Sequence, residues 1–119
     1  MRPEITGPVI NGGATVDSTP TITWTDIGAN QYEIWLTQLN GTDTNGNAVT
    51  SPTVVANVRG IQGTSFTPTN PIGDGDFRVW VRGLDDDGEP GLWSPQYNFT
   101  KNLTTGPTQI SPIGGVTVT

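Results

Sequence analysis

Four carboxylates crowd into Asp85-Asp86-Asp87-Gly88-Glu89, a run that could gather oxygen atoms around a cation. Calcium suits such a loop, because it takes about six to eight oxygen ligands. Asp85, Asp86, Asp87 and Glu89 are therefore the candidate metal residues, although the same residue types also suit a solvated turn for local geometric reasons. Asp74 and Asp76 lie one strand away, roughly 25 Å at strand rise, and cannot share an ion with them. Asp43-Thr44-Asn45-Gly46-Asn47 resembles the start of a calcium loop but lacks the distal Glu of a helix-loop-helix site. Paired carboxylates also do glycoside hydrolysis, which needs them about 5–10 Å apart across a cleft. Nothing in the spacing builds a cleft, and the chain is read as non-enzymatic.

A second constellation is aromatic and cationic. Arg78, Trp80 and Arg82 alternate with Phe77, Val79 and Val81. On a strand this period of two puts the ring and both guanidinium groups on one face. Guanidinium planes stack on indoles, so the face can be a self-contained ladder in which Glu33 pairs with an Arg. It can equally be a recognition surface for a protein, or for a glycan whose rings stack on the indoles. Trp35, Arg78, Trp80, Arg82 and Trp93 are its candidate binding residues.

Absences bound the chemistry further. The chain has no Cys and no His, which excludes disulfides, thiolate sites and every Ser-His-Asp or Cys-His mechanism. The net charge is −6, and the five cations look scattered rather than patched, so neither nucleic acid nor an anionic membrane is an expected partner. No apolar run reaches the ~18 residues of a membrane span. Lys101 is the single lysine. A Lys–Asn isopeptide cross-link would need it buried beside a carboxyl group, whereas Thr100-Lys101-Asn102 reads as a polar tail.

The elements that must carry these residues are strands. Only 32% of the 119 residues are apolar, and 16 Gly and 10 Pro punctuate a Thr-rich chain. Gly and Pro break helices and Thr disfavours them, while β-branched residues suit short strands between turns. Expected strands are Ile5–Ile10, Pro20–Thr25, Gln31–Thr37, a weaker Thr53–Val58, a short Thr64–Pro68, Phe77–Gly83, and a return through Leu92-Trp93-Ser94 toward Tyr97 and Phe99. Alternation assigns Trp24, Tyr32, Ile34, Leu36, Val79, Val81, Tyr97 and Phe99 to the core, with Glu33 and Trp35 facing outward. Seven such strands indicate an all-β sandwich.

Several segments resemble fibronectin type III domains. Pro20-Thr21-Ile22-Thr23-Trp24 is similar to their second strand with its inward Trp. Gly28-Ala29-Asn30-Gln31-Tyr32-Glu33-Ile34 is similar to the start of their third, and Phe77 to Ser94 to the sixth strand, turn and seventh strand. The resemblance covers about residues 3–102 and is nearest in flavour to bacterial fibronectin type III-like or Ig-like repeats of large surface proteins. Phe77 stands where that family usually carries a Tyr bonded to backbone. The resemblance implies a seven-stranded Greek-key sandwich over residues 1–104.

Thr105-Gly106-Pro107 echoes Thr6-Gly7-Pro8, and Gly114-Gly115-Val116-Thr117-Val118 echoes Gly12-Gly13-Ala14-Thr15-Val16. A tandem repeat of about one hundred residues follows, with 105–119 as linker and start of the next copy. Met1-Arg2-Pro3-Glu4 carries no secretion leader, so the sequence is expected to begin inside a longer protein. The expected role is a monomeric, non-catalytic spacer in an extracellular or cell-surface, adhesion-type protein, without cofactor unless calcium binds. Its partners would be neighbouring domains of the same polypeptide. The alternative is a protein- or carbohydrate-binding module working through the Trp/Arg face.

Overall fold

A computed structural model of the chain describes residues 2–9 and 11–102; the expected linker at 105–119 and the second half of each repeat echo lie outside them. The described residues are all-β, with eight strands: β1 (Ile5–Gly7), β2 (Ala14–Thr15), β3 (Ile22–Trp24), β4 (Gln31–Gln38), β5 (Thr53–Ile61), β6 (Ser65–Phe66), β7 (Gly75–Leu84) and β8 (Tyr97–Lys101). They form a three-stranded sheet, β1-β3-β6, and a five-stranded sheet, β2-β8-β7-β4-β5. The strand beyond the expected seven is β2, which pairs in parallel with β8.

Alternation places the core as anticipated. Ile22 and Trp24 of the small sheet meet Tyr32, Ile34, Leu36, Phe77, Val79, Val81, Tyr97 and Phe99 of the large one, all buried. Each such side chain contributes about 1.5–3 kcal/mol by leaving water. Phe77 and Phe99 face each other across β7 and β8, with ring centroids 5.3 Å apart and planes within 9° of parallel.

The return strand departs from expectation. Leu92-Trp93-Ser94 is not a regular strand, because Pro90 and Pro95 flank it and lack the N–H that a ladder needs. It still follows β7. The Gly91 N–H donates to the Gly83 carbonyl at 2.9 Å, and the Ser94 N–H donates to Val81 at 2.7 Å. The Ser94 hydroxyl accepts the Val81 N–H at 3.0 Å, standing in for a backbone carbonyl. Regular pairing resumes at Tyr97 opposite Val79.

Strand directions set the two ends of the molecule. Glu4 accepts the Thr25 N–H at 2.9 Å, at the same end as the β3–β4 turn and the acidic Asp85–Glu89 loop. Lys101 pairs with Gly75 at the other end, beside the β4–β5 loop. Lys101 is 5% exposed, with Nζ 2.5 Å from Asp74 Oδ1. The polar-tail reading of this residue is therefore corrected. Lys101 continues the inward alternation of Tyr97 and Phe99, and burial of an amine requires a counter-charge.

That end is sewn shut by polar groups. The Gln38 amide, 4% exposed, shares its two N–H hydrogens among the carbonyls of Asn40, Thr42 and Asp74, with Nε2 at 2.9, 2.9 and 3.1 Å from them. Thr42 and Asp74 exchange backbone bonds of 2.8 and 2.9 Å. Gly41 makes the approach feasible: its φ is +85°, and a Cβ there would collide with the Asp74 carbonyl. Gly41→Ala is expected to cost about 1–3 kcal/mol from its backbone conformation alone, with the collision adding to that. Urea unfolding followed by tryptophan fluorescence measures it.

Candidate binding face

The register of β4 on β7 builds the candidate site. Eight consecutive pairs run from Gln31 opposite Leu84 to Gln38 opposite Phe77. Because one face of this ladder is core, the other receives Glu33 beside Arg82, Trp35 beside Trp80, and Thr37 beside Arg78. Loop 92–94 lays Leu92 and Trp93 over the same surface. Arg2, Trp35, Trp80, Leu92, Trp93 and Ser94 together line an open cleft of about 640 Å³. All five expected face residues, Trp35, Arg78, Trp80, Arg82 and Trp93, are thus brought onto one surface.

The stack does not place Trp80 between its two neighbouring arginines. Arg78 lies over Trp80, its Cζ 6.0 Å from the ring centroid, at the limit of a useful cation–π contact. Arg82 does not sandwich Trp80 from the other side. Its Cζ sits 4.1 Å over Trp93, and Trp93 meets Trp35 edge-on at 6.4 Å and 86°. Glu33 explains the choice: its Oε1 accepts from Arg82 Nε at 2.8 Å and draws the guanidinium toward β4.

Glu33 points to the outer face as expected, yet it is only 4% exposed. Arg82 and Arg59 cover it, the latter donating to Oε1 at 3.2 Å, and the Asn57 amide donates to Oε2 at 3.0 Å. Burial alone would raise its pKa. The hydrogen bonds from Asn57, Arg82 and Arg59, with the charge of Arg82, outweigh burial and hold it below the ordinary carboxylate value.

Sequence reasoning missed Arg2, Asn57, Arg59 and Leu92. It ended β5 at Val58, whereas Gly60, at φ +79°, lets the strand shift register and continue to Ile61 opposite Tyr32. Arg59 belongs to the face only because of that extension. The five cations therefore are not scattered. All four arginines bear on this face, and only Lys101 lies elsewhere.

The acidic runs resolve into one device used twice. Asp85 Oδ1 accepts the N–H groups of Asp87 and Glu89, both at 2.9 Å. Asp43 Oδ1 accepts those of Asn45 and Asn47, also at 2.9 Å. In each loop the Asp N–H donates to the residue four along, and the Gly three along donates back to the Asp carbonyl. Both glycines, Gly46 and Gly88, have positive φ. This is the three-residue hairpin in which a tight turn is followed by a left-handed residue. Asp86 bonds the Asn30 amide, and Asp87 and Glu89 are exposed. Among the described residues, no three His, Cys, Asp or Glu side chains gather into an ion-binding group.

Removing the buried charge tests the ladder. A depressed folded pKa stabilises at pH above the unfolded value of about 4.5, and the contribution is lost as pH falls through the folded value. Glu33→Gln should lower stability by roughly 1–3 kcal/mol at pH 7. The gap from the parent chain should close as the pH drops toward 3, measured by thermal melts across pH. No protein-family model matches this chain, and no curated protein sequence matches it.

Proposed function

We propose that the chain is a non-catalytic, fibronectin type III-like module, a Greek-key sandwich that spaces or presents neighbouring domains of one extracellular, cell-surface polypeptide. One observation carries this reading. The described chain arrives beside Thr25 at one end of the strands and leaves β8 at the other. Successive copies would therefore add end to end rather than fold back. The ten-residue β7 sets a length of at least roughly 33 Å per copy. One, two and four linked copies, compared by small-angle X-ray scattering, should lengthen by a near-constant step of at least that size. A maximum dimension that stalls after two copies overturns the reading.

A second reading has its own support. The cleft on the large sheet is rimmed by Leu92, 67% exposed, and Trp35, 38% exposed. Apolar side chains left open beside a built aromatic stack are what a binding module offers. Trp80→Ala separates the two roles. A structural ladder predicts a melting temperature several degrees lower, whereas a binding face predicts a retained melt and lost ligand affinity.

A further inference from the structure

We infer that the Trp/Arg face accepts an anionic saccharide, a chain of uronic-acid units, in the cleft between Trp35, Trp80 and Trp93. This deepens the second reading above and rests on it.

The observation behind it is charge segregation. The chain carries 11 acidic residues and five basic ones. All four arginines nevertheless bear on one sheet face. Among the strand residues of the large sheet the acidic ones are Glu33 and Asp76, and both alternate onto that face. Glu33 is 4% exposed and already shared between Arg82 and Arg59. Asp76 sits at the far end of β7, tied to the Thr100 hydroxyl at 2.6 Å and the Asn40 amide at 2.9 Å. Two carboxylates, of which Glu33 alone is ion-paired, stand against four guanidinium groups, so the face keeps a local positive surplus on a negative protein.

The available contacts select the ligand class. β4 and β7 are interior strands, hydrogen-bonded on both sides, so no free backbone edge runs through the cleft. A peptide that adds as a strand has nothing to pair with here. What the face offers is side chains alone: indole rings and planar guanidinium groups. Pyranose rings present flat C–H faces to indoles, and uronate carboxylates match the two-pronged fork of Arg. Arg2 and Arg59 are exposed, and Arg59 keeps 52% of its side-chain surface in solvent, so both have donors to give. Arg78 and Arg82 lie four residues apart along β7, roughly 13 Å, with Trp80 between them. Acidic loops stand at both ends of the strands, so the ligand is a short segment lying within the cleft, and oligodeoxythymidine serves as the competing polyanion in the test.

The test titrates the intact chain by calorimetry with hexamers of galacturonate, guluronate and glucuronate-containing disaccharide units. The methyl esters of the same hexamers keep the rings and remove the charge. Hexaglutamate and oligodeoxythymidine are run alongside. The expected result is binding of at least one free acid, at least tenfold tighter than its ester and weakened by added salt. Arg2→Gln, which disturbs none of the ion pairs among the described residues, should weaken it several-fold without moving the melting temperature. Equal affinity for acid and ester overturns the anionic preference but leaves the cleft a binding site. Binding only of hexaglutamate or oligodeoxythymidine overturns the saccharide. Silence with every probe overturns the inference, while Trp80→Ala still reports separately on the ladder.

Discussion

The eight-pair register between β4 and β7 is the constraint on which the rest depends. A slip of one residue would turn Tyr32, Ile34 and Leu36 outward and bury Glu33 and Trp35 in the core. The core fixes the register from one side, since Ile34, Leu36, Val79 and Val81 are fully buried. The outer face fixes it from the other. Glu33 finds Arg82 directly opposite, and Trp35 finds Trp80. A buried carboxylate is costly without partners, so an alternative pairing that strands Glu33 is disfavoured by desolvation. Hydrophobic and ionic terms thus select the same alignment, and agreement between levels is what makes a single native state.

Much of this was legible in the residues. The period of two at Gln31–Thr37 and at Phe77–Gly83 located both central strands and divided their residues correctly between core and surface. Every residue assigned to the core by alternation is buried. The Trp/Arg face followed from the same pattern. Its stacking order did not, because Trp93 arrives on a loop whose path depends on Pro90, Pro95 and the Ser94 hydroxyl. Periodicity carries no information about such a segment. Arg59 was hidden for a related reason: a bulge at Gly60 breaks the local alternation while the strand goes on. Lys101 misled because polarity suggests exposure, and its burial depends on Asp74, which lies 27 residues earlier in the chain.

The acidic runs show how composition can point to several chemistries at once. Asp, Asn and Gly within five residues serve a cation loop and a tight hairpin equally well. Here the geometric demand is plain. The leading Asp of each run accepts two backbone N–H groups that the turn would otherwise leave unpaired, and the Gly adopts a φ that other residues resist. Asp26 follows the same habit, accepting the Gly28 N–H and the Tyr32 hydroxyl, which hold its carboxyl below the usual range. Tyr32 and Tyr97 anchor backbone through their hydroxyls, bonding the Ile27 and Val9 N–H groups.

The opposed ends of the described chain have a mechanical consequence. Tension applied through β1 and β8 acts along the strands. Antiparallel ladder bonds stand perpendicular to that axis. Those between β8 and β7, and between β1 and β3, would therefore be loaded together in shear. A hairpin pulled from its open end gives way one bond at a time; a sheared ladder yields only when several bonds fail at once. Lys101 and Asp74 stand where that load leaves the sheet, and their ion pair ties the end of the last strand to the start of β7.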